Sequence, residues 1–317
     1  MGKHIIMVHG RNYKPAKAVL KRNWIDAIKS GIERDCDSQV LEKFKKTKKT
    51  MAYYGKLSND FLTKHTGDIW TPADEKADIA DRNNALTALK AYKTDQFDKK
   101  NYDKIRDWTD VVKEATAGLI SGPSSVLRIG DNIVGWVAPD MANYWNPDAE
   151  FGSEVRWELT EILVRAITAG DDILLISHSL GTIVSYDVLW KLSHYGEYGK
   201  LRKKGNKVNT LITIGSPLGD ANVKKQLKGA AVAIDNVRRY PKYIQHWINF
   251  AAEDDYISHD PTLGDEFKEM KKLKLIDDII DNKKIYNMSI RDGNSNPHHS
   301  TGYLIHPDLV SAVATWL

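Results

Sequence analysis

The chain predicts an α/β fold, an open and mostly parallel sheet of about six strands with a helical insertion. Three observations lead there. Short runs of Val, Ile, Leu and aromatic residues read as strands buried on both faces, which is how strands of a parallel sheet look. Stretches with apolar residues at helical spacing alternate with those runs, as βαβ units require. Residues 172–181, Asp-Ile-Leu-Leu-Ile-Ser-His-Ser-Leu-Gly, pass from such a strand through a tight turn straight into a helix.

His4–Val8 is the first expected strand, and Val19–Ile32 follows as a helix with Leu20, Trp24, Ile28 and Ile32 on one face. Thr50–Tyr54 is the second strand. From about 57 to 151 no strand signal of similar strength occurs; helix-like blocks at Pro72–Lys93 and Tyr102–Ala117 and a turn at Gly122–Ser125 fill the stretch. That is too long for a plain connection in a compact domain, so it reads as a helical cap inserted into a single domain spanning 1–317. Its apolar end, Ile133–Pro139 through Tyr144 and Trp145, either lines a hydrophobic pocket or packs the cap's own core. Glu154–Ile167 is a helix carrying Val155, Leu159, Ile162, Leu163 and Ala166, then come the strand Asp172–Ile176 and the helix Leu180–Leu192. Val208–Ile214, Ile244–Ala251 and Lys284–Ser289 complete the strands. Pro307–Leu317 closes as a helix, with Pro at its first turn and Leu309, Val310, Val313 and Trp316 turned inward.

Composition excludes several classes. The 46 Lys and Arg against 42 Asp and Glu leave a formal charge of +4, too mild and too dispersed to demand a nucleic-acid partner. The densest basic run, Lys43–Lys49, reads as a solvated helix end or loop. A single cysteine, Cys36, cannot form an intrachain disulfide, and Asp35 and Asp37 beside it disfavour its thiolate. Ile5–Val8 is too short for a secretory apolar region, no stretch has the length of a membrane span, and Ile6 breaks a myristoylation pattern at Gly2. A cytoplasmic protein is the expectation.

The strand, turn and helix at 172–192 have the form of a nucleophile elbow, which holds a serine on a strained turn with Oγ exposed and the next N–H aimed at a developing oxyanion. Ser179 is the candidate nucleophile. Small residues are needed two positions to either side: Gly181 meets this, and Ser177 stands where the usual first Gly would be. Serine needs a base, and the base needs an acid. Both follow in the expected order beyond later strands, in Glu253-Asp254-Asp255 and in Pro297-His298-His299. A second oxyanion donor fits the Val8-His9-Gly10-Arg11 turn, where Gly10 admits close approach, Arg11 offers its amide, and His9 is structural. Adjacent histidines are badly spaced for one metal ion, and no P-loop or G-x-G-x-x-G follows a strand, so no metal, nucleotide or other cofactor is indicated.

These residues resemble an α/β-hydrolase. The resemblance rests on Val8-His9-Gly10, Ser177-His178-Ser179-Leu180-Gly181, Ile214-Gly215-Ser216-Pro217-Leu218, Trp247-x-Asn249 with Asp255, and His298-His299 before Tyr303-Leu304. The His-Gly-Arg start with Lys14-Pro15 and Trp24, and Ser185–Leu189, are similar to a group of bacterial serine hydrolases with lipase-like cores. The resemblance implies a sheet lacking the family's first two strands. It implies Asp255 as acid, with Asp254 and Glu253 as alternatives, and His298 as base, with His299 as alternative. It implies that His178 points away from the base and either lines the substrate pocket, as Gly10 does, or supports the site from behind, and that Leu180 and Arg11 hold the oxyanion. The expected function is a serine hydrolase acting on a small-molecule ester or related acyl bond. Thioesterase, amidase and acyltransferase chemistry use the same groups. A hydrolase-fold protein that only binds a ligand or partner is the rival from another class, and a nucleic-acid binder ranks last.

Overall fold

The structure is a computed structural model and describes residues 2–106, 139–203, 205–291 and 293–317. Six strands form one sheet: β1 Lys3–Val8, β2 Lys48–Ala52, β3 Asp172–His178, β4 Val208–Ile214, β5 Ile244–Ala252 and β6 Asp278–Ile285. Their order is β2-β1-β3-β4-β5-β6, and all five neighbouring pairs run parallel. The helices that pack on it or flank it include α1 Lys17–Asp35, α2 Ser38–Lys46, α3 Gly55–Thr66, α4 Pro72–Lys90, α5 Lys99–Ile105, α6 Pro139–Trp145, α7 Glu150–Ala169, α8 Leu180–His194, α9 Ser300–Leu304 and α10 Pro307–Trp316.

Successive side chains of a strand point to opposite faces, so a sheet covered on both sides needs apolar residues at every position. Ile5 and Met7 of β1, with Leu174 and Ile176 of β3, bury against Leu20, Trp24, Leu89, Tyr102, Leu309 and Val313 of α1, α4, α5 and α10. Ile6 and Val8, with Ile173 and Leu175, bury against Tyr144, Leu159, Ile183 and Val184 of α6, α7 and α8. Full burial of one such side chain stabilises by about 1.5–3 kcal/mol. The result is three layers, helix on sheet on helix.

Two expectations need correction. The last strand of the six-stranded sheet runs over Asp278–Ile285 and not Lys284–Ser289, and Ile290–Arg291 pairs antiparallel with Asn294–Ser295 beyond it. β6 lies at the sheet edge, where Ile280, Lys283 and Lys284 are exposed and Asp281 accepts from Leu263 N and Gly264 N, so the continuous apolar run expected of an inner strand is missing. The Lys43–Lys49 run divides in two: Lys43, Lys45 and Lys46 end α2, and Lys48 already opens β2, the opposite edge strand. Within 57–151 the described residues hold helices and no strand, and α4 joins the α1 layer directly. The turn at Gly122–Ser125, residues 107–117 of the second helix block and the run 133–138 lie outside the described residues. Among the described residues no helix is long and apolar enough to cross a membrane.

The strand order carries a functional consequence. β1 has β2 on one side and β3 on the other, so the chain leaves these two central strands toward opposite faces: α1 follows β1 into one helical layer, α8 follows β3 into the other. In open parallel sheets a crevice opens where the order reverses, at the carboxyl ends of the strands.

Candidate active site

Ser179 sits in that crevice, as the residue between β3 and α8. Its backbone is at φ 54, ψ −126, a conformation that costs a non-glycine residue on the order of 1–3 kcal/mol. Neighbouring hydrogen bonds hold it there: Ser179 N donates to Ile214 O at 3.1 Å, and Thr182 N donates to Ser179 O at 2.9 Å. Gly181 is dictated by packing, since a Cβ there would come within 2.6 Å of His9 O and 2.7 Å of Val8 O. Ser177 explains its own departure from glycine: it is fully buried, and its hydroxyl pairs at 2.6 Å with that of Ser185 on α8.

The His298 ring reaches Ser179 from the loop before α9, Nε2 lying 3.0 Å from Oγ. Its Nδ1 lies 3.0 and 2.9 Å from the two carboxylate oxygens of Asp255. A carboxylate only accepts, so Nδ1 carries a proton, and in the neutral ring Nε2 is then the acceptor for the serine hydroxyl. Asp255, only 3% exposed, is held by two more donors, Ile257 N at 2.9 Å and the Tyr303 hydroxyl at 2.6 Å. Burial and this carboxylate push the Tyr303 phenol far up, so it stays a donor at any physiological pH. Ser179 is 5% exposed, whereas the His298 side chain keeps 31%, so the row meets solvent at the imidazole.

The neighbours in sequence go elsewhere. Asp254 takes φ 62 and pairs through Oδ2 with Arg106 Nε at 3.1 Å and with the Tyr102 hydroxyl at 3.3 Å. His299 directs Nδ1 to Ser289 Oγ at 3.3 Å. Glu253 continues the sheet, its N donating to Ile285 O. His178 supports the site from behind, but its ring turns toward His298 and not away from it. Its ring packs 4.6 Å from that of His298 and its Nε2 donates to the His298 carbonyl at 2.8 Å. The cause is strand alternation: Ser177 faces α8, so His178 must face the side from which the His298 loop arrives. Burial above all, then the charge of His298, depress its basicity and keep it neutral.

Register builds the other wall. Val8 pairs with Ser177, so Gly10, two residues on, comes to lie against Ser179; a Cβ on Gly10 would stand 2.8 Å from that of Ser179. His9 is 1% exposed, and burial first, then Lys14, lower its pKa to about 3, leaving a neutral ring. Its Nε2 accepts from Tyr54 N at 3.2 Å, so the proton is on Nδ1, which donates to Gly10 O at 2.7 Å. The 10–11 peptide is trans, so with its C=O turned to His9 its N–H, that of Arg11, points the opposite way. The Lys14 side-chain nitrogen donates to the carbonyls of Arg11, Asn12 and Tyr13. Leu180 begins α8, and an N–H in the first turn of a helix has no acceptor within it.

Scans of family models, curated proteins and solved structures each find no match to this chain. The geometry therefore stands by itself. A strained serine bonded to an imidazole that is bonded to a buried carboxylate can shuttle a proton off the hydroxyl and return it.

Two supporting residues differ in how far the sequence marks them. Gly215, at φ 52, clears the space in which the acid meets the ring: a Cβ would stand 2.9 Å from Asp255 Oδ2 and 3.0 Å from His298 Cε1. A glycine directly after a strand is the available sign. Asn287 is fully buried and clamps the loop that carries His298, donating to the carbonyls of Pro297 at 2.8 Å and His299 at 2.9 Å. Nothing marks it in sequence, because its partners are backbone atoms ten and twelve residues away. Of the expected aromatic wall, Tyr144 is buried with its hydroxyl on Asp187 at 2.9 Å, a core contact.

Proposed function

We propose that the chain is a cofactor-independent serine hydrolase that cleaves an ester or related acyl bond. One observation carries the reading: the unbroken hydrogen-bonded row from Asp255 through His298 to a serine held in an elbow conformation. The parallel sheet, the switch point beside Ser179 and the order serine, acid, histidine support assigning the fold to the α/β-hydrolase type.

Ser179 Oγ attacks the carbonyl carbon as His298 Nε2 takes its proton. The carbonyl oxygen becomes an oxyanion facing the amides of Leu180 and Arg11, and Asp255 stabilises the imidazolium. Collapse breaks the acyl–oxygen bond, and the departing alcohol takes the proton from Nε2. Water then gives a proton to the same nitrogen, attacks the acyl-enzyme, and releases the acid with Oγ reprotonated. His178 and Asn287 position the base by holding its backbone.

A fluorophosphonate probe should label the wild type, and labelling should vanish in Ser179→Ala and fall by at least about a hundredfold in His298→Ala. Labelling that survives Ser179→Ala would overturn the assignment. Nitrophenyl esters of increasing chain length test substrate class, and a preference for short acyl groups would argue against a lipase-like pocket. Folded protein with neither labelling nor turnover would favour a binding protein on the same scaffold.

A further inference from the structure

The amide that would complete the oxyanion hole belongs to Arg11, and the Arg11 side chain leads away from the site to a buried partner. Its guanidinium grips Asp140 with two bonds, Nε to Oδ2 at 3.0 Å and Nη2 to Oδ1 at 2.9 Å. Asp140 is 1% exposed and the Arg11 side chain 10%. Two-pronged pairing fixes direction as well as distance, which a single contact does not. The aspartate's Oδ1 also accepts Met141 N at 3.1 Å, so the carboxylate is rigid with respect to α6.

α6 is itself tied to the helix that bears the nucleophile. Tyr144, four residues after Asp140, donates its hydroxyl to Asp187 of α8 at 2.9 Å, and Asp187 also accepts Lys228 N at 2.9 Å. Tyr144 cannot drift from α7 either: a Cβ on Gly152 would fall 2.1 Å from its carbonyl oxygen, so the two helices touch through backbone. A closed circuit results. It runs from Ser179 along α8 to Asp187, across Tyr144 to α6, through Asp140 to Arg11, and back to the amide beside Ser179.

We infer that Asp140 is a positioning residue, which acts through Arg11 to make α6 a strut setting the separation of the two oxyanion-binding amides, those of Leu180 and Arg11. The inference rests on the hydrolase reading of the site. The strut's effect falls on the transition state, because the ground-state carbonyl binds those amides weakly whereas the oxyanion needs both at hydrogen-bond distance.

Every residue except proline keeps the amide at position 11, so the strut can be cut without deleting the donor. The test compares wild type, Asp140→Asn, Arg11→Met and the double variant Arg11→Met/Asp140→Leu, which removes both buried charges together and so avoids leaving one unpaired. Thermal midpoints establish folding. The expected result is a loss of kcat on a nitrophenyl ester of about 10- to 100-fold, with KM held within about twofold. Inhibition by a boronic acid, whose tetrahedral adduct needs the same amides, should weaken in parallel, and the double variant should lose no more than the worse single one. A rise in KM at constant kcat, losses that multiply in the double variant, or a double variant as active as wild type would each overturn it. Those outcomes leave Ser179 labelling intact, so they are distinct from failure of the hydrolase reading, in which the wild type itself is not labelled and both proposals fall.

Discussion

Gly215 shows how narrow the tolerances of the site are. Alanine there would bring a Cβ within 2.9 Å of the Asp255 carboxylate and impose a left-handed backbone on a residue with a side chain, at φ 52. The backbone term costs about 1–2 kcal/mol, and the steric term displaces the pair that orients Ser179. Gly215→Ala should therefore fold with a modestly lowered midpoint and react with a fluorophosphonate at least about tenfold more slowly. An unchanged labelling rate would show that the pair does not depend on that space. At this scale the sequence names the residue types but cannot choose among adjacent ones. Asp254 and Asp255 share one turn, and only the positive φ of Asp254 and its pairing with Arg106 direct one carboxylate outward and the other to His298. The same holds for His298 and His299: the first ring turns to Ser179 and Asp255, the second to Ser289.

The junction of β3 with α8 tests a packing argument. Ser177 and Ser185 are fully buried and each has the other's hydroxyl as partner at 2.6 Å. Ser185→Ala should leave Ser177 unpaired and destabilise by about 1–3 kcal/mol, while Ser177→Ala/Ser185→Ala should be closer to wild type than that single variant. Urea titrations of the four species decide it, and additive losses would count against the pairing. Strands with both faces covered are legible in the sequence, because an unbroken apolar run marks them without any alternation to find. The expected bounds of β1, β3 and β4 accordingly fall within two residues of the observed ones. The edge strands are less legible: the expected Thr50–Tyr54 lies two residues late on β2, whose opening lysines belong to no apolar run. β6 interleaves Asp, Asn and Lys with Ile, which reads as a loop until the neighbouring β5 supplies the hydrogen bonds. Helices α2 and α3 are equally faint, the first because its lysines mask an amphipathic face around Phe44, the second because Gly55 and Ser58 weaken its start.

For the whole molecule, buried imidazoles set an acid limit. Burial lowers His9 and His306 from 6.5 to about 3 each. Folded values below the unfolded one mean that the unfolded chain binds more protons between those limits, so stability falls as pH drops through that window and is unaffected above it. At about pH 5 each should cost roughly 2 kcal/mol relative to neutral pH. Urea midpoints should drop markedly from about pH 7.5 to about pH 5, and less so in His306→Gln; equal midpoints would refute the neutral burial of these rings. The layout of the reactive row has a kinetic corollary. Ser179 and His298 are 119 residues apart in the chain, and Asp255 and His298 are 43 apart. Helices arise from short-range contacts, whereas the turn at Ser179 leans on Ile214 and on the backbone of Val8 and His9, and the imidazole arrives only when a long loop has closed against a nearly finished sheet. A refolding chain should thus regain its circular dichroism first and its chemical competence last, with the delay between the two signals timing the docking of the segment that carries His298.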